Sequence, residues 1–481
     1  MNKVRAKTYH QYLSKNLQLA LPTGQADLLL DGKFLNMGSI SERSGIDCKQ
    51  HNIDCRQHIE ETLEATSWLV LAPAMYSFVM WTLQKAEKDK VERLYFLARD
   101  GYLMYKVARL ITNSKNLPFE CCYLYCSRYS LRTPLFHLDV EDALDYICRN
   151  SIKLNLAIIL KRSGLSRLQR EEVTKELALD FQSEEDIPYA KLKRIKQSLQ
   201  NCELFINYLI ENSRQLLPAF KGYLQQEGLL DGAKCAIVDS GWTGSTQKNL
   251  NQALHHFGIK DELLGYYWGL YTLPSKEGIE KYHGYYFMPD KNIKEKVYFS
   301  NSLFEAIYSA PHGMTLGYRR WKGKYAPFFL PVKKEVETFQ LKIEEVMLQY
   351  VKIQLEKRQA LVEFNPKEAK STIFHILKLF MTSPTKEEVE CFGEIAFSDD
   401  VFEDIKQPIA AKLSKKDLND NKPLSKILAM IGLKKGKIKE SGWYEGSVVR
   451  SREQTKKYLR QYAAYKRLLY IRTAIRWKLK R

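Results

Sequence analysis

Residues 237–246 read IVDSGWTGST: an apolar run ending in an acid, a loop of glycines and hydroxyl residues, then the start of a helix. That order suits a sugar phosphate. Backbone N–H groups at a helix N-terminus can hold a phosphate, assisted by the hydroxyls of Thr243, Ser245 and Thr246. Gly241 and Gly244 let the backbone approach it closely, and Asp239 at the strand end is placed to accept hydrogen bonds from vicinal ribose hydroxyls. The competing reading is a plain strand–glycine turn–helix connection. A second group, FLARDG at 96–101, is again strand, tight turn and helix, in which Asp100 can act simply as an N-cap. In YCSRYS, Arg128 follows a strand and offers a guanidinium suited to bidentate phosphate binding, or is an ordinary surface arginine.

The elements that must position these groups follow from periodicity. Short apolar runs bounded by charge or turn residues predict strands at 94–98, 119–126, 235–239 and 263–270, each of the first three followed by a candidate phosphate contact. YLMYKVARLI at 102–111 places Leu103, Met104, Val107, Ala108 and Ile111 at helical spacing, so strand, turn and helix make half of a βαβ unit. A charged connector is expected at 84–93, and helices at 335–354 and 367–380. The dense aromatics from Tyr266 to Phe287 suit core packing, with sugar or base stacking as the alternative. Cys121, Cys122 and Cys126 lack a paired CxxC and a histidine at ligand spacing, which predicts a buried strand rather than a metal site. No GxxxxGK[ST] occurs, and no GxGxxG follows a strand.

Bulk composition sets the class. A chain of 481 residues with 45% hydrophobic and 27% charged residues folds around a sizeable core. Its net charge of +19 favours acidic partners: a phosphate-bearing substrate, nucleic acid or an anionic membrane face. Nine scattered cysteines, and no apolar run within residues 1–10, predict a reducing cytosolic location without a secretory signal. WLVLAPAMYSFVMWTL at 68–83 is shorter than the roughly 20 residues a bilayer crossing needs, and Pro73 is expected to interrupt it, so a buried helix is the reading.

In order along the chain come LAPAMYSFVMWTL, FLARDGYLMYKVA, YCSRYSLRTP, VDSGWTGSTQKNL and LFEAIYSAPHGMTLGY. This ordered set, across residues 60–320, resembles the glycan-modifying phosphoribosyltransferases of bacterial surface-polysaccharide loci. Phosphoribosyltransferases carry an apolar strand, two acids, a short spacer and Thr-Gly-x-Thr. Asp239, Thr243, Gly244 and Thr246 match, whereas Ser240 stands in place of the second acid and the spacer is one residue shorter. The resemblance implies an α/β fold: a divergent phosphoribosyltransferase-like sheet with a helical insertion and helical C-terminal additions. It divides the chain into an N-terminal leader (1–59), a core (60–320) with its insertion at 140–230, a helical accessory region (321–450) and a basic amphipathic tail (451–481).

The implied reaction moves a 5-phosphoribosyl group from phosphoribosyl pyrophosphate to a sugar hydroxyl of a lipid-linked glycan acceptor, releasing pyrophosphate. Asp239 then holds the ribose, and the stretch from Ser240 and Gly241 to Thr246 holds the 5′-phosphate. Arg99, Gly101 and Arg128 cradle the pyrophosphate, and Asp100 serves as Mg²⁺ ligand or base. Glu305 and His312 become candidates for the acceptor side or for acid–base duty, with a structural role open for His312. The tail, with eleven basic residues against Glu453, suits a helix on an anionic membrane surface, so the protein is expected as a cytoplasmic protein peripheral to the inner face of the membrane. A solvated or core-packed helix is the tail's other reading, and nucleic acid is the less favoured partner. Two other functions compete: a non-catalytic nucleic-acid or regulatory binding protein on the same scaffold, and a sugar-nucleotide glycosyltransferase.

Relatives in that family often carry a dehalogenase-type phosphatase, whose nucleophile motif is Asp-x-Asp after a strand. Here Asp100 is followed by Gly101 and Tyr102, and Asp47 and Asp54 have Lys49 and Arg56 two positions on. The reaction breaks only the bond to pyrophosphate, so the product of this chain should keep its 5′-phosphate. Mass spectrometry of the purified reaction should show the acceptor heavier by a phosphoribosyl unit, with the phosphate lost only after a phosphatase is added. An unphosphorylated ribosyl product from the pure protein would overturn this.

Overall fold

Five short strands make one all-parallel sheet in the order β2-β1-β3-β4-β5: β1 (Arg93–Leu97), β2 (Glu120–Leu124), β3 (Cys235–Trp242), β4 (Leu264–Leu270) and β5 (Tyr282–Phe287). The structure, a computed structural model, describes residues 1–30, 50–151, 154–177, 187, 189–275, 277–357, 364–398, 400, 402, 406–423, 425–426 and 438–479. A parallel sheet has both faces covered, so its strands need apolar residues at odd and even positions alike. In β1, Leu94 and Phe96 enter one core and Tyr95 and Leu97 the other; in β3, Ala236 and Val238 oppose Cys235 and Ile237.

Among the described residues, four helices precede the sheet: α1 (Lys3–Ser14), α2 (Thr23–Leu30), α3 (Gln50–Thr66) and α4 (Ala72–Lys88); α5 (Gly101–Lys115) then joins β1 to β2. Between β2 and β3 lie α6 (Arg128–Arg132), α7 (Val140–Ile147), α8 (Leu156–Arg162), α9 (Arg167–Leu177), α10 (Tyr189–Gln200) and α11 (Glu203–Gln226). Most of these surround their own apolar cluster, which includes Leu144, Ile159, Val173 and Leu209. α12 (Ser245–His256) joins β3 to β4. Beyond β5 come α13 (Ile293–Val297), α14 (Asn301–Tyr308), the antiparallel hairpin β6 (Thr315–Trp321) and β7 (Lys324–Phe329), α15 (Lys334–Lys357), α16 (Pro366–Thr382) and α17 (Lys386–Phe392). A two-residue pair, β8 (Ala396–Phe397) and β9 (Gln407–Pro408), then α18 (Lys415–Asp420), α19 (Tyr444–Ser451) and α20 (Thr455–Leu479) complete the chain.

Several of the sequence-based expectations need correction. The 84–93 connector is helical as far as Lys88, and Pro73 interrupts nothing: α3 and α4 run on through a π-helical turn, Ser67–Leu71, in which the Ala72 N–H reaches back to the Ser67 carbonyl. That widened turn absorbs the register change next to a proline lacking its own N–H. Gln57–Lys88 is long and apolar enough to cross a membrane by length and composition, but 94% of its most apolar window is buried inside the protein. A fifth strand, β5, lies within the aromatic stretch, and β7 occupies the start of the region expected to be helical. α1 lies on the core, where the Tyr9 hydroxyl donates to Glu388 at 2.6 Å. Residues 31–49 of the leader, 427–437 of the accessory region and 480–481 of the tail lie outside the described residues.

Topology decides where a ligand can enter. β1 lies between β2 and β3. The chain leaves β1 through α5, whose Met104 and Val107 join the core that holds α4, and it leaves β3 through α12, whose Leu250 and Leu254 join the opposite core. In open parallel sheets, connections that diverge to opposite faces mark the carboxyl ends of the two strands as the place for a ligand crevice. Gly101 fixes one wall: a Cβ there would lie 2.9 Å from the Phe96 backbone carbon. Gly101→Ala should therefore cost about 1–3 kcal/mol through forced displacement of α5 from β1. Urea unfolding should show a lower midpoint at unchanged slope; an unshifted midpoint would contradict the packing role.

Candidate active site

The two strand ends are stitched together across the crevice. Asp100 stands immediately before α5 but makes no side-chain cap to it; its carboxylate accepts a hydrogen bond from the Ser240 hydroxyl at the end of β3. The position where the fingerprint would carry a second acid thus holds a donor, and a carboxylate from the neighbouring strand meets it. Asp239, one residue earlier, is half-buried.

The end of β3 and the turn after it have a backbone that side chains resist. Gly241, Trp242 and Gly244 all have positive φ, at 104°, 68° and 65°. A Cβ on Gly241 would lie 2.6 Å from the Gly269 carbonyl oxygen, and one on Gly244 would lie 2.8 Å from the Tyr282 ring. Ser245 opens α12, and no side chain caps that helix. The helix start is anchored from beneath: Gln247 is buried, accepts from the Tyr267 hydroxyl at 2.6 Å and donates to the Leu263 carbonyl at 2.7 Å. The hydroxyls of Thr243 and Ser245 bond each other at 3.1 Å, and Thr246 is half-buried in the first turn. An uncapped first turn beneath such a loop presents N–H groups to an anion.

The left-handed conformation of Trp242 belongs to a second set of contacts. Its indole N–H donates to the Glu305 carboxylate on α14, and its ring packs at 5.6 Å from Phe299 and 5.9 Å from Tyr271. Three carboxylates therefore share the crevice. Burial, then the charge of Asp100, pushes Asp239 up to about 8; the same two causes push Glu305 up to about 7. Burial also raises Asp100, against the Ser240 hydrogen bond and the positive charges of Arg99 and Arg128. Arg128 is exposed at the start of α6 and makes no ion pair among the described residues, yet its charge is felt by all three acids. Arg149, which sequence reasoning passed over, has its charged form disfavoured first by burial and then by Arg128, so two guanidiniums act on one another here.

His312 is otherwise engaged. Its Nε2 pairs with the Tyr123 hydroxyl at 2.7 Å and its Nδ1 with the Gly313 carbonyl at 2.9 Å, which fits an Nδ1–H donor and an Nε2 acceptor. Burial lowers its pKa, and Tyr102, Tyr125 and Phe329 pack around it. The structure thus brings together Asp100, Asp239, Ser240 and Glu305 with the charges of Arg99 and Arg128, and it sets the 241–246 loop directly after them. Gly101 has a packing reason, and His312 a structural one. Trp242 was present in the motif, but only its backbone angle shows why it matters. Among the described residues, no group of three or more His, Cys, Asp or Glu is arranged to hold a metal ion. No protein-family model and no curated protein matches the chain.

Because the folded pKa values of Asp239 and Glu305 lie above ordinary carboxylate values near 4, the folded state binds more protons between about pH 4 and pH 8. Their contribution to stability is fully present below that window and is lost as the pH rises through it. Asp239→Asn removes one titrating group, so its melting temperature should exceed that of the parent by a margin that widens from pH 5 to pH 8. A constant margin would show that the Asp239 carboxyl is not raised.

Proposed function

We propose that this chain is a phosphoribosyltransferase-type glycosyltransferase, taking phosphoribosyl pyrophosphate as donor and a sugar hydroxyl of a lipid-linked glycan as acceptor. The observation that supports this most is the bond from Ser240 to Asp100 across two neighbouring strand ends, which sets the charge of Asp100 against Asp239, just before a glycine-bent loop and an uncapped helix start. A sugar with a phosphate on one side and a pyrophosphate on the other has the matching chemistry: hydroxyls for the carboxylate, one anion for the loop, and another for the arginines.

In this reading the 5′-phosphate sits on the 241–246 backbone with the hydroxyls of Thr243, Ser245 and Thr246, and Asp239 accepts from the ribose hydroxyls. The bond from C1 to the pyrophosphate oxygen breaks, and that oxygen keeps the electron pair. Arg99 and Arg128 stabilise the growing charge. The acceptor oxygen attacks C1 from the opposite face, which turns the α-donor into a β-ribofuranoside. Its proton passes to Glu305, whose carboxyl, poised near neutrality and held by Trp242, suits a general base. Mg²⁺ fits the donor set: it characteristically uses one or two carboxylates with substrate phosphates, and Asp100 lies in a crevice crowded with negative charge. When bound, it would neutralise pyrophosphate charge.

The test is pyrophosphate release from phosphoribosyl pyrophosphate and Mg²⁺, dependent on added glycan acceptor, together with calorimetry of donor binding. Asp239→Asn should stay folded and, measured above pH 8 where the Asp239 carboxyl is ionised, lose roughly 1.5–3 kcal/mol of donor affinity, the value of a charge-assisted hydrogen bond. Unchanged affinity in the folded variant would remove Asp239 from the site. Absence of pyrophosphate release with every glycan tried, alongside turnover of a sugar nucleotide, would replace the donor.

A further inference from the structure

α20 carries two apolar faces, and the fold uses one. On the inner side Tyr458, Lys466 and Ala474 are buried, Tyr462 packs 4.4 Å from Tyr444, and Tyr470 stacks on Tyr271 at 5.4 Å. Lys466 donates to the Phe299 carbonyl at 2.9 Å and pairs with Glu445 at 3.4 Å. On the outer side Leu468, Ile471, Ile475 and Leu479 are 64%, 39%, 51% and 80% exposed. Steps of three and four residues align these four on one stripe. Among the described residues they are four of the twelve exposed large apolar side chains, and the other eight are scattered over many elements.

Charge tells what covers the stripe. Lys457, Arg460, Arg467, Arg472, Arg476 and Lys478 flank it, all exposed and none in an ion pair among the described residues. The helix carries no Asp or Glu. We infer that the outward face of α20 docks on an anionic lipid bilayer, with the aliphatic stripe entering the headgroup boundary and the arginines and lysines resting on lipid phosphates. A nucleic acid offers phosphates to the cations but nothing for a stripe of leucine and isoleucine. A second copy of the same face would set six cations against six. The inner face ties this surface to the crevice: Tyr470 stacks on Tyr271, which packs 5.9 Å from Trp242, the residue that holds Glu305. Docking would therefore bring lipid to the side of the site where Glu305 stands.

Substitution is the clean test, because removing the helix would also uncover the contacts of Tyr458 and Lys466. Flotation with vesicles of phosphatidylcholine plus phosphatidylglycerol should carry the parent protein, and vesicles of phosphatidylcholine alone should not. Leu468→Ser with Ile475→Ser should lower partitioning about tenfold, and Arg467→Glu with Arg472→Glu should lower it at least as much, since both the apolar and the charged term drive binding. All four positions are exposed, so melting temperature and donor calorimetry should be unchanged in these variants, and that readout stands or falls separately from the donor assignment. Equal flotation of the variants, equal binding to uncharged vesicles, or loss of parent flotation with gain of binding to a short nucleic-acid duplex would each overturn the inference. So would a concentration-dependent dimer that Leu468→Ser abolishes.

Discussion

Negative charge crowded at the ends of two neighbouring strands is the condition to which much of this structure answers. Asp100, Asp239 and Glu305 come from three separate elements; Asp100 raises the cost of ionising both of the others, and Glu305 adds to that of Asp239. Buried like charges are tolerated when positive charge or hydrogen-bond donors face them. Here the offsets are partial: the hydroxyl of Ser240 to Asp100, its backbone N–H to Asp239, one indole N–H from Trp242 to Glu305, and arginines at the rim. A cluster left under-compensated on its own keeps its carboxyls protonated to higher pH than free ones.

The scaffold serves that arrangement by being rigid behind it. Tyr266, Trp268, Tyr285 and Tyr286 fill one face of the sheet's far side, against Phe78 and Trp81 of α4. Aromatic packing at this density holds the carboxyl ends of β3 and β4 in place while the cap between β2 and β3 keeps its own separate core. The buried pair of Arg162 and Asp400, at 2.6 Å, ties α8 of that cap to the C-terminal part of the chain. Removing one partner alone would strand a charge, so this tie is held by the cost of breaking it more than by the gain of forming it.

Much of this was legible in the sequence, and what was not has physical reasons. β1 to β4 announced themselves as short apolar runs, because strands buried on both faces need no polar alternation. β5, YHGYYF, interrupts its apolar run with His283 and Gly284, so it did not stand out from the aromatics around it. The Asp239 loop was visible as a motif because glycines and hydroxyl residues are rare in that concentration. The link from Ser240 to Asp100 was not, since it depends on which strands lie side by side. The same is true of Glu305: its spacing on α14 says nothing of the indole that reaches it. The tail's charge was plain from composition, but the division of its apolar residues into a packed face and an open one required the partners across the interface.

The pairing of β1 with β3 joins Arg93 to Cys235, with β2 and the entire helical cap between them in the chain. A ribosome delivers β1, α5 and β2 long before β3 exists. Until it does, one edge of β1 has no hydrogen-bond partner and its apolar faces are only half covered, a state prone to pairing with other chains. The crevice therefore forms only after the cap has been made, and the cap between β2 and β3, with its own apolar cluster, has the means to collapse first and shorten the loop that β3 must close.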